Sequence, residues 1–289
     1  MLTRTMWIIG TLWCAYLLAQ PLNSVSEPSQ DEYRFAARPA PSVQAEKPDG
    51  KNSGKNAYII PAGTILPVRL NSTVSSAKSK PGQVISGRIM QDVPLSSGTR
   101  IKEGSKVAGR IVEVTPARAG ERARLSLRFD KLIFSHKTVS ISTNLRAIAG
   151  FMRINEAQTP TSGPSESDVY RWLTTEQIGG DIAYGEGGPV TTHNDPNDVV
   201  GKKVNGGVLG QLRANGVANC RGATDGNESP QAIWVFSSDA CGVYGIEHIR
   251  IVSSGRSGVP GLIVFGSDKQ NLKIPGGAGM LLRIEKNSD

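Results

Sequence analysis

A turn-and-strand pattern occurs twice early in the chain and once more near its end. Residues 60–70 read IPAGTILPVRL, and residues 101–111, forty-one positions later, read IKEGSKVAGRI. Residues 274–284 repeat the pattern as IPGGAGMLLRI. Glycine permits the positive φ of a tight turn, and the alternating apolar residues that follow are typical of a strand. Because the third copy echoes the first, we predict that the two pair side by side and close one barrel rather than two domains.

Short strands are predicted at regular intervals after the first copy of the pattern. Turn-forming residues separate them, and no long helical period intervenes. The sequence therefore predicts an all-β, mainly antiparallel fold, which is either a barrel or a sandwich. The predicted strands of residues 57–150, the first half, span residues 65–70, 84–90, 106–114, 123–134 and 138–145.

The second half of the fold is predicted to be β-rich as well. Residues 151–167 form a predicted polar linker, and residues 168–289 either form their own unit or help to close the same barrel. One short helix is predicted near residues 168–177, with a capping residue at its start and two glycines after its end. The apolar run at residues 231–237 predicts a strand that is buried on both faces.

The N-terminal residues predict an export signal. Arg4 precedes an apolar run at residues 6–19, which is short for a transmembrane helix and typical of a signal peptide over residues 1–19. An uncleaved anchor in the inner membrane is the alternative. Residues 20–56 are rich in Pro, Ser, Gln and Lys, and we predict a disordered tether. These features predict a periplasmic or cell-envelope protein.

Two cysteines remain once the signal is removed, Cys220 and Cys241. An isolated pair in an oxidising compartment predicts one disulfide. Neither cysteine has another Cys or a His at the spacing of metal ligands, so a metal pair or a catalytic thiol is the weaker alternative.

Positive charge is concentrated in the first half. Residues 51–150 carry 17 Lys and Arg against 5 Asp and Glu, whereas residues 151–289 carry 12 against 15. Such a half favours an anionic envelope polymer or a lipid surface as a neighbour, and no specific nucleic acid is predicted. A solvated strand face is the alternative. Alternation in the strand at residues 123–130 predicts that Arg124, Ser126, Arg128 and Asp130 face outward. The candidate anion-binding surface consists of Arg110, Arg122, Arg124 and Arg128.

Several motifs of the first half occur in a characteristic order. They are IPAGTIL at residues 60–66, SKPGQVI at 79–85, KEGSKVAGR at 102–110, and the alternating strand that ends in KLI at 133. In this order, residues 57–147 resemble the β-barrel domain of the TrbI-like family, an outer-membrane-core component of conjugation and type IV secretion channels. The resemblance implies a periplasmic barrel with an N-terminal membrane segment, and one that assembles into a ring. The family's late pair of membrane-crossing helices has no apolar counterpart here, and residues 168–289 resemble uncharacterised secreted bacterial proteins instead.

No catalytic or cofactor motif is recognisable. The chain lacks a His-Glu-x-x-His pair, a phosphate-binding Gly-x-x-x-x-Gly-Lys loop and a Gly-x-Ser-x-Gly elbow. We therefore predict no catalytic residue, no cofactor and no metal. Two clusters allow an alternative. Residues 193–198 carry oxygen ligands that Ca²⁺ could use, although they are also ordinary turn formers. Asp181 or Asp239 with Glu186 could act as the acid pair of a glycan hydrolase.

Trp234 is the remaining residue with two interpretations. Together with residues 237–239 and Tyr244 it could line a glycan-binding face, or it could be a core tryptophan beside the disulfide. Three functions follow from the sequence: a non-catalytic envelope scaffold that associates with itself, a binding module for cell-wall or surface polysaccharide, and a glycan hydrolase in residues 168–289.

Overall fold

The computed structural model describes residues 60–119, 121–160, 174–185, 187–214, 220–256, 258–268 and 270–286. All of these residues belong to one compact unit. The predicted mainly-β fold is confirmed: strands dominate the described residues, and one short helix accompanies them. The predicted signal, anchor and tether lie outside the described residues.

The largest sheet is a nearly closed barrel of ten strands. The ten strands are β1 (Ile65–Leu70), β3 (Val84–Ile89), β6 (Lys106–Thr115), β7 (Ala123–Phe134), β8 (Lys137–Ser140), β9 (Thr143–Ala149), β16 (Gly242–Tyr244), β17 (Arg250–Ser253), β18 (Ile263–Ser267) and β20 (Gly279–Ile284). The main path of the sheet runs in the order β16-β9-β20-β1-β3-β6-β7-β18-β17, and β8 pairs with β7. All pairs in this sheet are antiparallel except β16 with β9.

The first and last copies of the repeated pattern pair with each other, as predicted. Strand β1 is antiparallel to β20, with Ile65 opposite Arg283 and Val68 opposite Met280. Each preceding turn bonds to the end of the opposite strand: the Gly63 N–H donates to the Ile284 carbonyl, and the Gly277 N–H donates to the Leu70 carbonyl, both at 2.8 Å. Gly63 has a φ of 88°, the conformation for which the pattern needs glycine. The last copy therefore continues the barrel beside the first.

Apolar side chains at alternate positions of the strands fill the interior of the barrel. Leu125, Leu127 and Phe129 of β7 are fully buried in one apolar cluster with residues from the other barrel strands. Arg124 is exposed, as predicted, but Ser126 is fully buried, which corrects its predicted exposure. Ser126 has a short side chain that lies opposite Glu113 of β6 and Val264 of β18, and its hydroxyl donates to the Glu113 Oε2 at 3.4 Å.

A second sheet of six antiparallel strands follows the sequence order. Its strands are β10 (Thr174–Glu176), β11 (Ile182–Tyr184), β12 (Pro189–Thr192), β13 (Asp195–Val204), β14 (Gly207–Leu212) and β15 (Asn227–Ala232). Four short strands make two small ribbons: β2 (Val74–Ser75) with β19 (Lys273–Ile274), and β4 (Val93–Pro94) with β5 (Arg100–Ile101).

The second sheet covers part of the barrel's outer surface. Ile65 of β1, Leu281 of β20 and Ala147 and Ala149 of β9 are buried in a second apolar cluster, apart from the barrel interior. Their partners include residues of the second sheet and the loop after β15: Ala183, Val190, Val200, Val208, Leu212, Ile233 and Phe236. Every residue of β9 is therefore buried, since one face packs inside the barrel and the other under the second sheet.

The described part of the predicted helix contains a strand instead. Residues 174–176, inside the predicted helix, form β10, and residues 161–173 lie outside the described part of the chain. The observed helix α1 spans Phe151–Gln158, in the predicted linker. Its Gly150 N-cap offers no side-chain hydrogen bond, so the usual sequence signal of a helix start is missing. Burial of Ile154 and Ala157 against the barrel stabilises this short helix instead.

Two predicted strands also need correction. The predicted strand at residues 138–145 is two strands, β8 and β9. The buried run at residues 231–237 is strand only as far as Ala232, and Trp234 adopts a φ of 55°. The run is buried as predicted, but it turns beneath the second sheet, and its apolar side chains alone could not distinguish a strand from a buried turn.

Candidate functional site

A fully buried arginine, Arg146, lies in β9 at the point where the register with β20 shifts. Its guanidinium donates five hydrogen bonds of 2.7 to 3.3 Å, and all five go to backbone carbonyls. The acceptors are Arg213, Ala223, Asp225, Ser238 and Ala240. Burial lowers the pKa of Arg146 to about 10, so the side chain stays charged at neutral pH. Arg146 thus joins to the barrel two loops of the covering half, which is the second sheet together with the loops that follow β14 and β15.

The predicted disulfide is confirmed. Cys220 and Cys241 are bonded, and their Cα atoms are 5.8 Å apart. Gly222 packs between this bond and Arg146, because a Cβ there would lie 1.9 Å from the Arg146 carbonyl oxygen and 3.0 Å from the Cys241 Sγ. The disulfide and the arginine therefore stabilise the same loops. A disulfide at this position indicates an oxidising, exported environment.

Two buried glutamines bind the backbone of Trp234. The Trp234 N–H donates to the Gln91 Oε1 at 2.8 Å, and the Gln177 Nε2 donates to the Trp234 carbonyl at 3.3 Å. The guanidinium carbon of Arg69 lies 5.1 Å from the centroid of the indole ring, which is a cation–π distance. The side chain is 2% exposed. Trp234 is therefore a core residue in this structure, and its ring offers no open face for stacking on a sugar.

A cavity of about 270 Å³ lies beside Trp234. The polar residues that line it are Gln158, Thr175, Gln177, Lys203 and Asn205. Among the described residues, the Gln177 Oε1 has no hydrogen-bond partner. Its volume is below the roughly 300 to 1,000 Å³ that is usual for small-molecule sites, so the cavity is a weak candidate for a ligand-binding site.

Of the three carboxylates considered for glycan cleavage, Asp181 and Asp239 form hydrogen bonds with residues of the loop that follows β15. The Asp181 Oδ2 accepts the Ser238 N–H at 2.7 Å, and the Asp239 Oδ1 accepts the Ser237 hydroxyl at 2.8 Å. Burial raises the pKa of Asp181, although the hydrogen bonds from Ser238 oppose the shift. Asp181 is only 3% exposed, so a polymeric substrate cannot reach it in this structure. Glu186 lies outside the described residues.

Residues 193–198, considered for Ca²⁺, form the turn between β12 and β13 and the start of β13. The Asp195 Oδ1 accepts the Asn197 N–H at 2.9 Å, and Asp198 forms an ion pair with Arg213. Asp195 thus stabilises its own turn, and Asp198 joins β13 to the residue that follows β14. Within the described residues, no group of three or more His, Cys, Asp or Glu side chains could hold a metal ion.

The four arginines of the predicted anion-binding surface lie on or next to β6 and β7. Three form ion pairs with carboxylates, and the fourth donates to a backbone carbonyl. The partners are Asp130 for Arg110, Asp268 for Arg122 at 3.2 Å, Glu113 for Arg124 at 3.5 Å, and the Pro260 carbonyl for Arg128 at 3.3 Å. These pairs reduce the positive charge that the four arginines offer to a ligand, and their role in anion binding stays a prediction.

Sequence reasoning missed the polar residues that organise the covering half. A charged residue inside the apolar run LRAIA at residues 145–149 was the available signal for Arg146. Gln91 and Gln177 carry no comparable signal, because a buried glutamine resembles any surface glutamine in a sequence. Three exposed cations of the barrel's outer face, Arg88, Lys106 and Lys131, were missed as well.

The fold and the disulfide define a class, the mainly-β proteins of an oxidising, exported environment. No protein-family model matches the chain, and no curated protein resembles it significantly. The resemblance of residues 57–147 to the TrbI-like barrel therefore stays a prediction. Within the described residues, no helix has the length and apolar character needed to span a membrane.

Proposed function

We propose that this protein is a non-catalytic structural component of the periplasm or cell envelope, a scaffold built on the nearly closed barrel. The supporting observation is what its buried polar side chains bind. Arg146, Gln91, Gln177 and Asp181 all make hydrogen bonds to backbone groups of the protein's own loops. In an enzyme, such convergent polar groups would face a substrate pocket. Here Arg146 and Gln91 attach the covering half to the barrel, and Gln177 and Asp181 bind the loop that follows β15.

The pairing of β1 with β20 supports the same proposal. The two strands lie in the middle of the barrel sheet, and the second sheet covers them. The barrel therefore cannot open at this point without exposing apolar residues on both faces, which suits a rigid part of a larger assembly. The TrbI-like resemblance adds the expectation of a ring, so the proposed partner is a second copy of the chain.

The native mass of the exported, full-length protein tests this proposal. Light scattering after size exclusion would be compared with the denatured mass of the same sample by mass spectrometry. We expect a native mass that is a multiple of the chain mass over a dilution series, at low and at high salt. A native mass of one chain at every concentration would contradict assembly into a ring.

A second candidate function is binding of an anionic polysaccharide. The specific observation that favours it is a set of exposed cations on the barrel surface that the second sheet leaves open. The glycan hydrolase receives no comparable support, because Asp181 is buried and binds the Ser238 backbone.

A further inference from the structure

Cations form two rows across neighbouring strands on the outer face of the barrel. In the first row, Arg69 of β1 lies opposite Arg88 of β3, which lies opposite Lys106 of β6. In the second row, Arg110 of β6 lies opposite Arg128 of β7. Like charges directly opposite each other destabilise a sheet, so folding alone does not favour this arrangement.

A strip of two small side chains and one lysine separates the two rows. Ser86 lies opposite Ala108, and Ala108 lies opposite Lys131. Ser86 and Ala108 are half-buried, whereas Lys106 and Arg110 on either side of Ala108 are exposed. Lys106 and Arg110 are four residues apart on one strand, which corresponds to about 13 Å. The surface is therefore a shallow groove with Ser86 and Ala108 as its floor, long cationic side chains along both edges and Lys131 at the β7 end of the floor.

Little of this positive charge is neutralised within the protein. The five cations of the groove are Arg88, Lys106, Arg110, Arg128 and Lys131; Arg69, at the end of the first row, packs on the Trp234 ring instead. Arg110 pairs with Asp130, and Arg128 donates to a carbonyl. Among the described residues, the other three cations have no carboxylate partner. Five cations against one carboxylate leave a strongly positive groove.

We propose that this groove binds a single chain of an acidic polysaccharide, one that carries carboxylate or phosphate groups. The width between the rows suits one extended polymer chain, whose acidic groups would reach the cations on both edges. The Ser86 hydroxyl, which accepts a hydrogen bond from Asn71 at 2.9 Å, supplies a polar contact for sugar hydroxyls on the floor. Single-stranded nucleic acid usually binds by stacking on aromatic rings, and the floor residues Ser86 and Ala108 offer none.

The inference rests on the second candidate function and is independent of the scaffold proposal, since a groove on one barrel needs no assembly. The first test measures binding of polygalacturonate to the full-length protein at low salt by calorimetry. The variant Lys106→Gln/Lys131→Gln removes two groove cations. The matched control, Lys202→Gln/Lys273→Gln, removes two exposed lysines of β13 and β19 and changes the net charge equally.

We expect the groove variant to bind about tenfold more weakly and the control variant to bind within about twofold of the wild type, because a cation counts most where the ligand lies. The slope of log affinity against log salt should decrease in magnitude by about two for the groove variant alone. The methyl ester of the same polymer lacks the charges, so it should not bind measurably to the wild type or to either variant.

A second pair of variants tests the groove floor. Ala108→Glu adds a carboxylate between the two cation rows, and Ala108→Gln adds a neutral side chain of the same size. We expect Ala108→Glu to bind polygalacturonate more weakly than Ala108→Gln does, with both variants folded by circular dichroism. Equal affinities for the two would overturn the proposal, since a ligand lying on the floor must sense the added charge.

Other outcomes would also overturn it. Absence of polygalacturonate binding at low salt is one, and equal weakening in the groove and control variants is another, because it would reflect net charge alone. Tighter binding of oligothymidylate, or of vesicles rich in phosphatidylglycerol, with the same dependence on Lys106 and Lys131 would assign the groove to nucleic acid or to a membrane. The native mass is a separate readout: a monomer that binds polygalacturonate contradicts the ring and supports the groove.

Discussion

The barrel and the half that covers it are stabilised by different kinds of contact. In the barrel, alternating apolar residues such as Leu125, Leu127 and Phe129 fill one interior. In the covering half, the loops around Ala223 and Ser238 depend on the buried guanidinium of Arg146 and on a disulfide. The barrel is therefore specified by a periodic apolar pattern, whereas the covering half is specified by a few buried polar residues whose hydrogen bonds must all be formed.

Replacement of Arg146 should have the largest effect on the covering half. In Arg146→Met, five backbone carbonyls lose their donor, and we expect the free energy of unfolding to fall by about 3 to 5 kcal/mol. Arg146→Lys keeps the charge but has fewer donors in a different geometry. Its free energy of unfolding should therefore lie between that of the wild type and that of Arg146→Met. Urea unfolding followed by tryptophan fluorescence measures the change.

Arg153→Met is the control for Arg146→Met. Arg153 lies on α1, is half-exposed and pairs with Glu156 at 2.7 Å. Its loss should change the free energy of unfolding by less than about 0.5 kcal/mol, because exposed pairs contribute little. Similar losses in the two variants would mean that Arg146 does not stabilise the covering half more than a surface arginine does.

Removal of the disulfide should have the next largest effect. The bonded cysteines are 21 residues apart, and for a loop of this length Cys220→Ser/Cys241→Ser should lower the free energy of unfolding by about 3 kcal/mol. Native-state hydrogen exchange would locate the change. We expect faster exchange in β14 and around Ala223, while the amides of β6 and β7 stay protected. Equal acceleration in β6 and β7 would show that the two regions unfold together and would remove the distinction between them.

The same distinction sets how much of the structure could be predicted. In the barrel, β1, β7 and the pairing of β1 with β20 follow from alternation and from a repeated turn, which are local signals. Helix α1 could not be predicted, since it lacks a capping side chain and depends on burial of Ile154. The contacts of Arg146 could not be predicted either, because its five acceptors come from distant loops and any residue type can supply a backbone carbonyl.

Asp181 gives the covering half a pH dependence. Burial raises its folded-state pKa above the ordinary value of 3.8, so the folded protein binds this proton more tightly than the unfolded chain does. The contribution of Asp181 to stability is therefore fully present below pH 3.8 and is lost as the pH rises through the folded-state pKa. Asp181→Asn does not titrate, and its Oδ1 can still accept the Ser238 N–H. As the pH rises from 3.8 through the folded-state pKa of Asp181, the urea midpoint of Asp181→Asn should increase relative to that of the wild type.

Glu247→Gln controls for the loss of a surface carboxylate, since the Glu247 side chain is 91% exposed. Its urea midpoint should follow that of the wild type across the same pH range. If the urea midpoint of Asp181→Asn also follows that of the wild type, ionisation of Asp181 does not lower the stability of the folded protein. The covering half would then tolerate a buried charge, whereas the apolar interior of the barrel contains none among the described residues.

The smallest expected effect concerns the barrel's outer face. Lys106 lies opposite Arg88, and both are exposed, so Lys106→Gln should raise the free energy of unfolding by about 0.2 to 1 kcal/mol at low salt. The gain should shrink as salt screens the repulsion. Lys202→Gln, an exposed lysine of the second sheet, is the control. A gain for Lys106→Gln alone would mean that the barrel keeps a destabilising charge that its fold does not need, as a ligand-binding groove requires; a loss of stability would mean that Lys106 has a structural partner.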